Sequence, residues 1–136
     1  MLEDNTYTLF FDGACKGNPG KGGAGAVIYK NQIEIYAQCG FVGDNSTNNV
    51  SEYYGLLLGL KKAIELKITT LNVKGDSLLI IKHMKGEYKV KSPRLKPLFV
   101  RAKVLEKQIG TVTYEHIYRD NNKRADELAN KALIIN

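Results

Sequence analysis

The pattern of apolar and polar residues predicts three strands at the start of the chain. Residues 7–12 have the pattern of a strand, and the glycine-dense run 13–23 that follows has the composition of a turn. Two more strands, 24–29 and 33–41, are separated by a short polar link and form a predicted hairpin. The polar run 43–49 then offers several side chains that can cap a helix.

A first helix is predicted over residues 50–67, where apolar residues recur at helical intervals: Tyr53, Leu57, Leu60 and Ile64. At about 100° per residue, Glu52 falls in line with Leu56 and Ala63. We therefore expect the Glu52 carboxylate at the edge of the buried face. It also lies in the first turn, where the helix dipole favours an anion.

Strands and helices alternate in the next part of the chain. A fourth strand is predicted over 70–74, followed by a short helix over 77–84. Ser92-Pro93 predicts the start of a further helix, with an N-cap followed by proline at the first helical position. That helix is expected to stop at Gly110, because glycine commonly ends helices.

The chain closes on a predicted strand over 111–118 and a helix over 122–135, which places three residues on one face: Asp126, Ala129 and Leu133. Hairpins come first and α/β alternation follows. This order indicates an α/β fold with a five-stranded mixed sheet, its first three strands antiparallel, flanked by helices. At 136 residues we expect a single domain, 1–136.

Positive charge is concentrated in one segment of the chain. The formal net charge is +6, and residues 82–107 hold nine Lys/Arg against two Glu. Such a segment suits a polyanionic partner, although a solvated helix face explains the same residues.

No apolar stretch is long enough to span a membrane and no secretory signal is recognisable, so we expect a cytoplasmic protein. Cys15 and Cys39 lack metal-ligand spacing and are expected to be free thiols.

Four carboxylates occupy positions where an acid is unexpected. Asp12 ends the first strand, Asp76 follows the fourth, and Glu52 and Asp126 are predicted on the inward faces of helices. Gathering such groups in one small domain costs on the order of several kcal/mol per ion unless a cation neutralises them. A divalent metal site is the most economical explanation, and it points to phosphoryl-transfer chemistry. Each acid alone has a simpler explanation, as a turn cap, a helix N-cap or a first-turn acid.

The same acids carry a resemblance to the type 1 ribonuclease H family. The family's strand aspartate and glycine-rich turn match Asp12-Gly13-Ala14-Cys15-Lys16-Gly17-Asn18-Pro19-Gly20. Its T-N-N-x-x-E motif matches Thr47-Asn48-Asn49-Val50-Ser51-Glu52. Its third and fourth motifs match Asp76-Ser77 and Asp126-Glu127-Leu128-Ala129. All four occur in the family's order across nearly the whole chain, which makes the combination highly specific.

The resemblance implies a ribonuclease H-like fold and an endonuclease that cuts the RNA strand of RNA–DNA hybrids. It also implies Mg²⁺ or Mn²⁺ as cofactor, with Asp12, Glu52, Asp76 and Asp126 as the catalytic and metal-binding acids. Two ions per site would give 5′-phosphate and 3′-hydroxyl ends. We assign Asp12 as the ligand shared by both ions, because a short side chain on a central strand is well fixed. Glu52 and Asp76 are expected near the leaving 3′-oxygen and Asp126 at the ion that activates water.

Substrate recognition is expected beside these acids. Backbone groups from Gly13 onward can reach ribose hydroxyls, and Asn18, Asn48 and Asn49 can hydrogen-bond sugars or base edges. Loop and capping chemistry is the competing explanation for the asparagines. Residues 20–25 match G-x-G-x-x-G, but a strand rather than a helix follows them, so dinucleotide binding is not predicted. We expect a monomer with no small-molecule cofactor and no membrane partner.

The chain departs from better-known members of that family in two ways. It has no Trp and only a short link over 85–92, so the basic protrusion of many members looks absent and we expect salt-sensitive hybrid binding. The histidine loop before the last acid is also missing. His116 falls in a predicted strand and is expected to be structural, while His83 is expected at the surface.

Arg119 is the candidate to contact the scissile phosphate or to assist product release. An ion pair with Asp120 or Glu127 is the alternative for this side chain. Two further functions stay open on the sequence: a broader metal nuclease that also cuts RNA–RNA duplexes, and a catalytically silent hybrid-binding module. The intact set of four acids argues against the silent module.

Overall fold

The computed structural model describes residues 5–134, so the predicted end of the last helix at Ile135 lies outside the described residues. The elements in chain order are β1 (Tyr7–Gly17), β2 (Gly20–Lys30), β3 (Ile33–Ser46), α1 (Asn48–Glu65), β4 (Thr70–Gly75), α2 (Leu78–Met84), α3 (Lys96–Ile109), β5 (Thr111–His116) and α4 (Lys123–Ile134). A short 3-10 helix, Arg119–Asn121, precedes α4. The predicted order of strands and helices is confirmed. In the described part of the chain, no helix combines the length and apolarity needed to cross a bilayer.

One mixed sheet organises the molecule, with strand order β3-β2-β1-β4-β5. The pairs β1–β2 and β2–β3 are antiparallel, whereas β4 lies parallel to β1 and β5 parallel to β4. The predicted five-stranded mixed sheet with antiparallel strands first is therefore confirmed. The central strand is β1, which has an antiparallel neighbour on one side and a parallel neighbour on the other.

Helices cover both faces of the sheet. Side chains alternate along β1, so Leu9 and Phe11 join the main core with α1, while Phe10 lies on the opposite face. On that opposite face, Ala125 and Leu128 of α4 pack against Val27. The site described below lies at Asp12 in the middle of β1, directly after the point where the pairing of β1 with β4 stops.

The glycine-dense run was predicted as a turn, and this prediction is wrong for most of its length. The run continues β1 to Gly17 and begins β2 at Gly20, so the turn contains only Asn18 and Pro19 between them. Close packing explains the glycines better than turn geometry does. A Cβ atom added at Gly23 would lie 2.3 Å from the carbonyl oxygen of Ala129 in α4.

Several predicted boundaries also differ. The third strand continues to Ser46, and the fifth ends at His116 rather than at 118. The third helix begins at Lys96 instead of Pro93. Residues 93–95 form a turn in which the Ser92 carbonyl accepts hydrogen bonds from the amides of Leu95 and Lys96 at 3.1 and 3.0 Å.

The prediction of a surface histidine at position 83 is wrong as well. His83 is 3% exposed, and its Nδ1 lies 2.8 Å from the hydroxyl oxygen of Tyr53 in α1. The helix α2 has only two turns and turns this side chain inward, where burial lowers the pKa of His83. The expectation of two free thiols, Cys15 and Cys39, is confirmed.

Candidate active site

The parallel pairing of β1 with β4 brings Asp12 and Asp76 side by side. Phe11 and Gly75 are direct partners across the two strands, and each is followed in the chain by an aspartate. Because the parallel pairing of β1 with β4 stops at Phe11 and Gly75, the two carboxylates that follow emerge together at this edge of the parallel part of the sheet. His116 pairs with Gly75 from the other side, so β5 ends at the same edge.

Glu52 reaches this edge because α1 approaches β1 unusually closely. A Cβ atom at Gly13 would lie 2.3 Å from the amide nitrogen of Glu52, and one at Gly55 would lie 2.5 Å from the carbonyl oxygen of Asp12. Neither distance is compatible with a side chain at those positions. The two glycines therefore set the distance between helix and strand that places the carboxylate of Glu52 beside that of Asp12.

We expect Gly13→Ala to disrupt the site and lower stability, because its methyl group meets backbone atoms that cannot move independently of α1. Unfolding titrations should show a loss of about 2–4 kcal/mol. Gly40→Ala is the matched control, since its nearest contact is the Leu58 side chain at 3.5 Å. A stability change for Gly13→Ala as small as that of the control would contradict the close-packing argument.

Three of the four predicted acids form a compact cluster. Asp12, Glu52 and Asp76 each offer a carboxylate oxygen, and these atoms lie within 4.8 Å of one another. Asp12 is 4% and Glu52 8% exposed, whereas Asp76 is partly exposed. Asp126 differs from its prediction, because it lies exposed in the first turn of α4 rather than on the inward face. The buried positions of that turn are taken by Ala125, which packs against the sheet.

Burial dominates the electrostatics of the cluster. Burial raises the pKa of Asp12 to about 7, and the charge of Asp76 and an interaction with Asp126 add to the rise. Hydrogen bonds with Glu52 and with the Gly13 amide lower this pKa in part. Burial also raises the pKa of Glu52 well above its ordinary value, followed by the charges of Asp12 and Asp76. The interaction between Asp12 and Asp126 shows that the fourth acid borders the cluster even though it is exposed.

The cluster fits a divalent cation. Within residues 5–134, none of the salt bridges joins a lysine or arginine to any of these four acids. The Oε1 atom of Glu52 is buried and has no hydrogen-bond partner among the described residues. Carboxylate oxygens are the ligands that Mg²⁺ and Mn²⁺ prefer. The site thus has the donor atoms and the uncompensated negative charge that a hard cation requires.

Asn122 is a residue of this site that the sequence did not reveal as functional. It is 1% exposed, and its Nδ2 donates to the Phe11 carbonyl at 2.9 Å and to Asp76 Oδ2 at 3.2 Å. The last helix was predicted to begin at this residue, and no role in the site was predicted for it. Its position four residues before Asp126, on a polar stretch that would be expected at the surface, was the one available signal.

The predicted substrate residues lie around the start of α1. Thr47 caps the helix by accepting from the Val50 amide, and Asn18 Oδ1 accepts from the Asn48 amide at 3.1 Å. Asn18 thus has the capping role that was its alternative explanation. A groove of about 470 Å³ opens here, lined by Asn18, Asn48 and Asn49 together with three basic residues of the 82–107 segment: Lys89, Lys91 and Arg94.

Arg119 and His116 lie on the other side of the cluster. Both line a small surface depression together with Asp76. Arg119 is exposed, and no salt bridge within residues 5–134 includes it, so neither predicted alternative ion pair forms; Glu127 is paired with Arg124 instead. His116 Nε2 lies 3.2 Å from the carbonyl oxygen of Asp76, which agrees with a structural role.

Comparison with known proteins identifies relatives of this chain. Residues 10–132 match the reverse transcriptase-like family. A bifunctional protein of Mycobacterium tuberculosis is 41% identical over 123 residues, and the matched part covers 90% of this chain but 34% of that protein. A ribonuclease H of Pseudomonas syringae is 33% identical, with 95% of this chain and 93% of that protein covered.

Solved structures of ribonucleases H have the same fold. A ribonuclease H1 from a compost metagenome, crystallised in complex with an RNA/DNA hybrid, superposes with a TM-score of 0.90 at 33% identity, covering 96% of this chain and 98% of that chain. The fold and the acids clustered around its central strand thus define a ribonuclease H-like domain. The chain belongs to the ribonuclease H family. It spans about a third of the length of the mycobacterial relative, 34%.

Proposed function

We propose that this chain is an endonuclease that hydrolyses the RNA strand of RNA–DNA hybrids by a two-metal-ion mechanism, leaving 5′-phosphate and 3′-hydroxyl ends. Residues 1–136 would act as one catalytic domain and as a monomer. One observation carries the proposal: Asp12, Glu52 and Asp76 converge within 4.8 Å, and no basic side chain of residues 5–134 is paired to them. Membership of the ribonuclease H family supports the choice of reaction and substrate.

Asp12, Glu52, Asp76 and Asp126 would hold the ions. Bound Mg²⁺ or Mn²⁺ supplies charge shielding for the attacking and leaving oxygens and lowers the pKa of water. Asp12 is suited to be the shared ligand because it is buried, central and fixed by the Gly13 amide at 2.9 Å. Asp126 is suited to the solvent side, because it is the exposed member of the set.

Residues around the acid cluster would bind the hybrid. Asn48 and Asn49 stand at the helix start directly before Glu52, where they can bond to sugars or base edges. Lys89, Lys91 and Arg94 line the same groove and would bind backbone phosphates. Gly13 exposes backbone groups beside Asp12, close enough for a ribose hydroxyl. These three features together favour a duplex that contains at least one RNA strand.

The experiment that tests the proposal is a cleavage assay on five labelled substrates: RNA–DNA hybrid, RNA duplex, DNA duplex and both single strands, with Mg²⁺, Mn²⁺ or EDTA. We expect cutting of the RNA strand in the hybrid alone, lost in EDTA, with 5′-phosphate ends. Cutting of RNA duplex at a similar rate would favour the broader metal nuclease. Hybrid binding without any cleavage in either ion would favour the silent module instead.

Arg119→Ala is expected to lower kcat on the hybrid by about tenfold, because an exposed and unpaired guanidinium beside Asp76 can neutralise charge on the scissile phosphate. Thermal stability should stay unchanged. Lys61→Ala, which removes an exposed cation far along α1, is the control for loss of charge alone. A wild-type kcat in the Arg119→Ala variant would show that Arg119 has no role in the site.

Salt dependence tests the role of the basic groove. The double variant Lys89→Ala/Lys91→Ala should raise KM for the hybrid while leaving kcat near the wild-type value. It should also reduce the slope of log KM against log salt by about two, since each lysine contributes about one released counterion. An unchanged slope would show that these lysines do not touch phosphates.

A further inference from the structure

We propose that Asn122 is a positioning residue that fixes the orientation of Asp76 and ties it to the backbone of β1 at Phe11. This inference rests on the proposed nuclease function for its kinetic meaning. Its structural part stands on the bonds that Asn122 makes. The residue lies in the short link between the 3-10 helix and α4, and its side chain bonds to β1 at Phe11 and to Asp76, which follows β4.

A single nitrogen atom makes both connections. Nδ2 of Asn122 donates one hydrogen to the Phe11 carbonyl at 2.9 Å and the other to Asp76 Oδ2 at 3.2 Å. Phe11 directly precedes Asp12 in the chain. The amide therefore clamps the backbone of one acid and the side chain of its neighbour, so that both acids keep a fixed relative position.

Few other side chains could replace this amide. The two acceptors need a group that offers two hydrogens from one atom at short reach, which an asparagine NH₂ does. A hydroxyl offers only one hydrogen, and a leucine of similar size offers none. The orientation of the amide is also determined, because the reverse orientation would point Oδ1 at two oxygen acceptors.

Stability alone does not account for asparagine at this buried position. The Oδ1 atom of Asn122 is buried without a hydrogen-bond partner among the described residues, which carries a desolvation cost. An arrangement that leaves one polar atom unpaired while bonding a cluster acid suggests a role in the site. The residue behaves as an outer-shell partner that orients a ligand carboxylate.

Asn122 also links the fourth acid to the cluster. Its carbonyl oxygen accepts the hydrogen bond from the Asp126 amide at 3.1 Å, so it lies at the N-terminal end of α4. The amide of Asn122 in turn donates to Arg119 at 2.9 Å. One residue therefore connects by hydrogen bonds the positions of Asp76, Asp126 and the Phe11 carbonyl of β1. Loss of its side chain would remove the side-chain bonds and leave this backbone path in place.

The test uses the full chain with Asn122→Ala and the near-isosteric Asn122→Leu, and Asn121→Ala as the matched control. Asn121 is the exposed neighbour and is outside the bonding network of the side chains. Three quantities are measured: kcat and KM on the hybrid, the Kd for Mn²⁺ without nucleic acid by calorimetry, and the melting temperature in EDTA. Mn²⁺ binding provides a readout that does not depend on catalysis.

We expect both Asn122 variants to lose about 10–100-fold in kcat with KM changed less than threefold, and to bind Mn²⁺ about tenfold more weakly. These losses should be alike in the two variants even where their melting temperatures differ. Wild-type kcat and Mn²⁺ affinity in the leucine variant would overturn the inference, as would losses that simply follow the melting temperature. If the alanine variant is too unstable to assay, the leucine variant carries the comparison. Failure of the wild-type chain to cut hybrid would count against the proposed function, while the Mn²⁺ comparison would still decide the role of Asn122.

Discussion

Asp12→Asn is expected to abolish hybrid cleavage and, in EDTA near pH 8, to make the protein more stable than wild type. Cleavage should fall on the order of 10³-fold or more, because the proposed shared metal ligand is lost. Stability should rise because the variant no longer holds a buried charge that burial disfavours. The pKa of about 7, compared with an ordinary 3.8, sets a ceiling of about 4 kcal/mol on this gain.

The measured gain is expected to be smaller, about 1–2 kcal/mol, since the new amide must itself be buried. Equilibrium unfolding in chelator measures it, and a gel-shift titration should show hybrid binding within about twofold of wild type. Asp44→Asn, at an exposed carboxylate of β3, is the control and should change neither quantity. A variant that still cuts, or one less stable than wild type in EDTA, would contradict the assignment of Asp12.

The stability of the metal-free protein is expected to decrease as pH rises from about 4 to above 7. Asp12 and Glu52 both have raised pKa values in the folded state, so the folded protein holds protons that the unfolded chain has released. Since the unfolded state binds fewer protons in this window, stability falls with pH. The stabilising contribution is fully present below the ordinary values of 3.8 and 4.5 and is lost as pH passes the folded value of about 7.

The loss is expected to amount to about 2–4 kcal/mol across that window. Saturating Mg²⁺ should remove most of it, because a bound cation neutralises the same charges. The double variant Asp12→Asn/Glu52→Gln is the control, and its stability in EDTA should be nearly flat over this range. Melting curves at half-unit pH steps provide the measurement. Equal pH profiles for the wild type and the double variant would show that these acids do not carry the effect.

Periodicity determined the predictable part of the fold. The helix at 50–67 and the strand at 70–74 were placed within a few residues of α1 and β4, because their apolar residues recur with clear helical or strand spacing. The same reasoning gave a wrong prediction for the glycine-dense run 13–23. Propensity suggests a turn for such a sequence, whereas tertiary packing against α1 and α4 requires glycine there, as at Gly13 and Gly23.

The acids were predictable and their environments were not. Sequence spacing and the family resemblance identified Asp12, Glu52, Asp76 and Asp126, and the structure brings the first three together and places the fourth at their border. Burial depends on which helix covers which strand, so the exposure of Asp126 could not be read from a helical face alone. The sequence carried no signal that Asn122 would be buried, because a link between elements normally lies at the surface.

Crystals soaked in Mn²⁺, with anomalous scattering data collected near the manganese edge, test the central claim most directly. The account predicts an anomalous peak between Asp12, Glu52 and Asp76. A second peak is expected between Asp12 and Asp126 when the wild-type protein is bound to a hybrid whose RNA strand cannot be hydrolysed. Carboxylates that point apart, with no anomalous density between them, would contradict it.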